Sequence, residues 1–272
     1  MQTDHASTQG GKRLRGVLAE NRADCPLVSV ITVVFNGRSY LEGCLESVLH
    51  QDYPNLEHIV VDGGSADGTL DILHRYEDRI AFWKSEPDHG IYDAWNKGLR
   101  EARGEWICFL GVDDEFLPGA VSAYMTLANR HPEADYLSSQ VRWVHPSGYE
   151  RTIGGPWTWQ QFSRYMCTAH VGSMHRRRLY DRLGSYDTSY RIVADYELLL
   201  RAREGLNAAY TPVTTVMMRA GGISDSTVAL EEQARAKTST GGRNAILAAI
   251  EFRIAKVKFA LGPLRRALGA IA

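Results

Sequence analysis

The sequence predicts an α/β protein with a mostly parallel central sheet flanked by helices, and three observations carry that expectation. Short apolar runs alternate with stretches of helical periodicity through the first half of the chain, the order that parallel strands with right-handed crossovers require. The runs are apolar throughout instead of alternating, as in strands covered on both faces. Thr32, Asp62 and Asp113 fall at or near their carboxyl ends, which is where open α/β sheets hold ligands.

The elements follow in order. Residues 1–24 are polar and mixed in charge, and read as a loose tail. The main domain is expected over 25–225. Residues 27–34 form a β-branched first strand that ends at Asn36-Gly37. Ser39 and Glu42 make a capping box for a helix carrying Leu41, Cys44, Leu45, Val48 and Leu49. The second strand, 56–61, ends at Asp62. Residues 63–69 form a glycine-rich turn into a short helix. A third strand is expected at 80–83 and a helix at 91–103, ended by Gly104. The fourth strand, from Trp106, runs to Asp113-Asp114, and Pro118 suits the first turn of a new helix. Beyond it the alternation loosens. A helix near 120–128, a strand at 136–144, a loop at 154–159, helices near 179–184 and 195–203, and a strand at 210–218 read as a mixed region on the same sheet. Residues 226–272 read as a C-terminal amphipathic helical extension.

Composition narrows the function classes. Hydrophobic content of 44% and charged content of 23% over 272 residues fit an ordinary globular protein. A net charge of −1 gives no basic field for nucleic acid. Four cysteines without a C-x-x-C pair predict reduced thiols in a cytosolic protein. No apolar run reaches membrane-spanning length, and the N-terminus lacks a signal-peptide core.

Several clusters carry chemistry. Adjacent Asp113 and Asp114 repel unless a cation or hydrogen bonds offset them; the alternative is a strand-end turn. The 63–68 turn matches G-x-x-x-x-G, but Thr69-Leu70 replaces the Lys-Ser/Thr of a phosphate loop. Ser65 stands where a dinucleotide fingerprint needs glycine. What remains is Asp62 at a strand tip, able to accept from a nucleobase N–H or ribose hydroxyl, or else stabilising its own turn. Asp93, Asn96 and Lys97 share one helix face, where Lys97 either neutralises a phosphate or belongs to a solvated face. Trp157 and Trp159 either stack on a sugar or pack. His170 is either a ligand contact or a satisfied core histidine.

Residues 28–36 (VSVITVVFN), 60–69 (VVDGGSADGT), 85–98 (SEPDHGIYDAWNKG) and 112–114 (VDD) resemble the successive motifs of family 2 glycosyltransferases with the GT-A, Rossmann-like fold, over about residues 26–205. The resemblance implies a nucleotide-sugar donor, usually a UDP-sugar, a divalent metal (Mn²⁺ or Mg²⁺), and inverting transfer of a hexosyl or N-acetylhexosaminyl group to a glycan or lipid-linked acceptor. By position, Thr32 and Asp62 match nucleoside contacts and Asp88 a donor-site residue, with Asp93, Asn96 and Lys97 on the same side. Asp113 matches the last Asp of D-x-D, with Asp114 beside it at the metal; the first Asp is Gly111 here. Residues 190–200 (YRIVADYELLL) resemble the later acidic motif, in which Asp195 matches the catalytic base. Glu197 is the rival base. His170, Trp157 and Trp159 lie where donor or acceptor contacts are expected, and 221–224 as a loop closing over the donor. The rival functions are a catalytically silent nucleotide-sugar-binding module and a nucleotidyltransferase.

Toward the C-terminus Leu247, Ile250, Ile254, Val257, Leu261, Leu264, Leu268 and Ile271 recur three and four apart, accompanied by Arg253, Lys256, Lys258, Arg265 and Arg266. Gly262-Pro263 is expected to break this helix. A coiled-coil seam of a homo-oligomer, a helix docked on the core, and a basic amphipathic helix on the inner face of the cell membrane all fit. The membrane is favoured because enzymes of this resemblance commonly use lipid-linked acceptors.

Overall fold

The computed structural model describes residues 8–221 and 226–269, with side chains through Leu261. β1 (Thr8–Gly10) and a single 3₁₀ turn (Lys12–Arg15) precede β2 (Val28–Val34), α1 (Arg38–Leu49), β3 (Leu56–Asp62), α2 (Thr69–Arg75), β4 (Phe82–Ser85), α3 (Ile91–Glu101) and β5 (Trp106–Gly111). The second half holds β6 (Glu115–Phe116), α4 (Ala120–Arg130), β7 (Tyr136–Val144), β8 (Glu150–Ile153), α5 (Trp159–Phe162), β9 (Ser173–Arg176), α6 (Arg177–Leu183), α7 (Ala194–Ala202), β10 (Ala208–Arg219), α8 (Thr227–Ser239) and α9 (Ala245–Gly269).

One sheet runs in the order β1-β4-β3-β2-β5-β9-β7-β10-β6, with β8 paired to β7. β4, β3, β2 and β5 are parallel, and β9 is antiparallel to both β5 and β7. The sheet is therefore mixed and mostly parallel, as the α/β pattern requires. Strand alternation divides its two faces: Ile31, Val33, Ile107 and Phe109 pack with α3, α6 and α7, while Val28, Val30, Cys108 and Leu110 pack with α1 and α4. Covering both faces is why the strands read as unbroken apolar runs.

Several local expectations are corrected. The third strand lies at Phe82–Ser85, two residues later than its apolar run suggests. The Ser39–Glu42 capping box does not form. Gly37 starts α1, and the N–H groups of Gly37 and Arg38 donate to Thr69 Oγ1 (3.1 Å) and Asp67 Oδ2 (3.0 Å), so the glycine turn caps the helix from outside. Pro118 lies ahead of α4, and Gly119 supplies its N-cap.

The tail is not loose from Thr8 onward. β1 covers the outer edge of β4, and Arg13 reaches Glu57 Oε2 at 2.8 Å. Glu57 is 2% exposed, and such a carboxylate needs a cation. The expected extension also divides. α8 places Ala229 and Ala236 in the main core cluster, so it belongs to the body. α9 docks through buried Ala248 and through Glu251, which accepts from Lys237 (3.4 Å) and Arg243 (2.5 Å). It stays helical through Gly262 and Pro263, where a break is predicted; proline there removes one backbone donor without ending the helix. Among the described residues, no helix is long and apolar enough to cross a membrane.

Candidate active site

Parallel β2–β5 bring four loops to one edge of the sheet. Asp62, at the end of β3, is fully buried. Its Oδ2 accepts from Gly64 N (3.1 Å), Ser65 N (3.0 Å) and Ser85 Oγ (2.6 Å), and its Oδ1 from Ser65 Oγ. The carboxylate thus ties its own turn to the end of β4, and a nucleoside would have to share these bonds. Asn36, after β2, adopts φ 51° and accepts from Ala66 N at 2.9 Å. This conformation leaves Phe35 65% exposed beside Gly63 and Asp88. Asp88 Oδ2 occupies the space a Cβ at 63 would need, and Asp88 Oδ1 accepts from Gly90 N at 2.8 Å.

At the end of β5 the two carboxylates fold back over Gly111. A Cβ there would meet Asp114 Oδ2 at 2.7 Å and Asp113 Oδ1 at 3.1 Å, so the absent first Asp of D-x-D makes room for the other two. Asp114 is 5% exposed, and burial, then Asp113, push its carboxyl up to about 8. Its Oδ1 accepts from Arg219 N at 3.2 Å, while the Arg219 guanidinium holds Glu115 at 2.7 Å. Asp113 is half-buried. Two adjacent carboxyl groups, of which burial discourages Asp114 from ionising without a nearby cation, fit a hard divalent cation such as Mg²⁺, which takes one or two carboxylates and completes its shell from water and substrate phosphates. No group of three or more His, Cys, Asp or Glu is placed to hold a metal among the described residues.

Asp195 lies in the first turn of α7. Its Oδ1 is 3.0 Å from the Tyr92 hydroxyl, which also lies 2.5 Å from Ile192 O. Tyr92 is the second residue of α3, just after Asp88–Gly90, so its bond ties Asp195 to the segment that follows β4. Glu232, from α8, accepts from the N–H groups of Arg191 (2.8 Å), Ile192 (2.9 Å) and Val193 (3.2 Å), fixing the backbone ahead of α7. A cleft of about 630 Å³ opens here, lined by His89, Tyr92, Asp93, Tyr190, Arg191 and Val228 among others. The rival Glu197 is 4% exposed and engaged by Arg201 Nε (3.0 Å to each oxygen), Arg201 Nη2 and Thr240 Oγ1 (2.9 Å). His170 is 8% exposed and stacks on Trp95 with ring centroids 4.5 Å apart. Neither ring nitrogen has a hydrogen-bond partner among the described residues. Burial lowers its pKa, against the pull of Asp195.

Other expected residues are elsewhere. Thr32 is fully buried, its hydroxyl 3.0 Å from His58 Nε2 and 3.6 Å from Cys44; strand alternation turns it into the core, away from a nucleoside. Asn96 is 7% exposed and holds both backbone groups of Tyr186, at 2.9 and 3.0 Å, so it pins the second half of the chain to α3. Lys97 is spent on Pro87 O (2.7 Å), Glu86 (3.2 Å) and Asp93 (3.4 Å), which leaves its ammonium no free side for phosphate. Trp157 and Trp159 pack against the core. Of the expected closing loop 221–224, only Gly221 lies within the described residues. Sequence reasoning passed over Phe35, Tyr92, Arg219 and Glu232. Phe35 carried a signal, an aromatic at a strand end before Asn-Gly; the other three act across the fold and left none.

Comparison with known proteins follows the same outline. The pattern of Glycosyl transferase family 2 matches residues 29–180. A PGL/p-HBAD biosynthesis glycosyltransferase of Mycobacterium tuberculosis is 29% identical over 229 residues, 79% of this chain and 86% of that one. Among solved structures, S. aureus TarS 1-349 in complex with UDP-GlcNAc superposes with a TM-score of 0.64 at 18% identity, covering 83% of this chain and 70% of its own. A mannosyltransferase from Pyrobaculum calidifontis in complex with GDP-Man and Mn²⁺ gives 0.65 at 19%, covering 93% and 78%. At these identities the two structures establish the shared GT-A fold.

Proposed function

This chain belongs to glycosyltransferase family 2, and from that premise we propose that it moves a sugar from a UDP-sugar to a hydroxyl of a glycan or lipid-linked acceptor, with inversion at the anomeric carbon. One observation carries the reading: half-buried Asp195 is held by Tyr92, a residue that lines an open cleft, while Glu197, two residues on, is buried and locked by Arg201. A carboxylate held by a hydroxyl and paired with no cation among the described residues is suited to take a proton from an acceptor.

In this reading Asp195 takes the proton of the acceptor hydroxyl as that oxygen bonds to the anomeric carbon. The bond from that carbon to the diphosphate oxygen breaks on the opposite face, and the nucleoside diphosphate departs. Tyr92 and Glu232 orient the base. Asp113 and Asp114 would hold a divalent cation, whose chemistry is to offset charge on the leaving diphosphate. Arg219 adds a cation at the same end. Phe35 offers an apolar face for the nucleobase beside Asp62 and Asp88. The product belongs to cell-surface glycan synthesis fed by cytoplasmic nucleotide sugar, a reading supported by the relative named for PGL/p-HBAD biosynthesis.

The test is a donor screen. UDP-, GDP- and dTDP-sugars are incubated with Mn²⁺ or Mg²⁺, and nucleoside diphosphate and pyrophosphate are both measured. UDP released from a UDP-sugar supports the proposal. Pyrophosphate released from a nucleoside triphosphate and a sugar phosphate would point to the nucleotidyltransferase instead. Tight donor binding with no turnover on any acceptor would leave a silent binding module.

A further inference from the structure

From the outer face of α9 we infer a docking surface for an anionic lipid bilayer, independent of the donor and acceptor assignments. Ile246, Leu247, Ile250, Ile254, Val257 and Leu261 are between 43% and 72% exposed. At 3.6 residues per turn, these six positions fall within an arc of about 100°. The helix is bound to the protein by Ala248, on the side opposite the stripe, and by Glu251, at its flank beside Lys258; Phe259, 44% exposed, lies outside the stripe. The stripe therefore faces away from the body, contrary to what a helix simply docked on its core would show.

Charge identifies the occupant. Arg253 and Lys258 border the stripe on its two sides, with Lys256 beyond Arg253. All three are exposed and none pairs with a carboxylate among the described residues. Glu251 is the only acid between 245 and 261, and it is drawn away by Lys237 and Arg243. The spacing of 247, 250, 254, 257 and 261 also suits a coiled-coil seam. Two copies would then set Arg253 and Lys258 at flanking positions where opposite charges normally pair, and no acid is available to meet them. An apolar stripe between cationic borders instead matches an interface of acyl chains beneath anionic headgroups.

The full chain is sedimented with vesicles of phosphatidylcholine alone and of phosphatidylcholine mixed with phosphatidylglycerol. Binding to the mixed vesicles only, weakened about thirtyfold or more by Lys256→Glu with Lys258→Glu and abolished by Ile254→Asp with Val257→Asp, supports the surface. Turnover on a soluble acceptor should be unchanged in both variants. Equal binding to both vesicle types overturns the anionic assignment, as does equal binding of the charge-reversed variant. A chain left in the supernatant overturns the surface altogether. So does a dimer in sedimentation equilibrium that Ile254→Asp dissociates in a protein that ignores vesicles.

Discussion

The two sides of the candidate site are held in different ways. On the side of β2–β5, most polar groups are fixed chiefly by near neighbours, Asp62 by Gly64 and Ser65, Asp88 by Gly90 and Lys97 by Asp93, with Asp114, reached by Arg219 N from β10, the exception. On the side of α7, Asp195 is fixed from afar. Tyr92 reaches Asp195 across 103 positions of sequence, and Glu232 holds Ile192 from 40 positions further on. One region is a set of self-contained turns on a regular sheet. The other exists only once α3, α7 and α8 have come together. A substitution on the first side should therefore act locally, whereas one on the second should disturb chemistry from a distance.

The largest expected effect tests the base. Asp195→Asn should keep donor binding and lower kcat by roughly 10²–10⁴-fold, while Glu197→Gln should lower stability and leave kcat of the folded enzyme nearly intact. Equal losses of kcat would erase the distinction between the two acids. Next comes the edge of the regular half. Arg13→Ala leaves Glu57 buried without its cation and should cost about 3–5 kcal/mol in urea unfolding; a shift within error would mean that the N-terminal arm contributes nothing. Glu232→Ala sharpens the contrast: kcat should fall about tenfold with the KM for donor unchanged, because three backbone N–H groups ahead of α7 lose their acceptor. Glu232→Gln should restore part of it, and a change in donor KM alone would contradict a positioning role.

The smallest effect is on pH dependence. Burial pushes the His58 pKa down to about 3, and burial also lowers that of His175, in the second half of the chain, well below its ordinary value. An unfolded histidine titrates near 6.5, so the unfolded chain takes up protons first as pH falls. The stability from keeping these rings neutral is complete above about pH 6.5 and is lost as pH falls toward about 3. His58→Gln and His175→Gln should each flatten the fall of Tm over this range. A fall as steep as the parent's in both variants would assign acid lability to other groups.

Legibility followed the same division. The strands from Val28 to Gly111 were readable because burial on both faces imposes an unbroken apolar run. Asp62, Asp88, Asp113 and Asp195 were picked out by resemblance; Asp62 ends β3, Asp113 follows the end of β5 and Asp195 stands in the first turn of α7. Thr32 misled because motif position says nothing about which face a strand residue turns to, and here it turns to His58. Asn96 and Lys97 misled because a helical wheel shows what can share a face, not what partner will meet it. β9 escaped notice as four residues inserted antiparallel between β5 and β7, a pairing with no local signature.

Taken alone, the order of residues determined the alternating α/β plan, the apolar strands, the acidic strand ends and the hydrophobic repeat of the last helix, since each is a periodicity or a short-range motif. Only the folded chain locked Glu197 onto Arg201 while giving Asp195 to Tyr92, set Glu232 under the backbone ahead of α7, anchored the N-terminal arm on Glu57 and turned the stripe of α9 outward. Those outcomes depend on which side chain meets which across long separations, and such meetings are settled by packing and by the cost of leaving a buried charge unpaired.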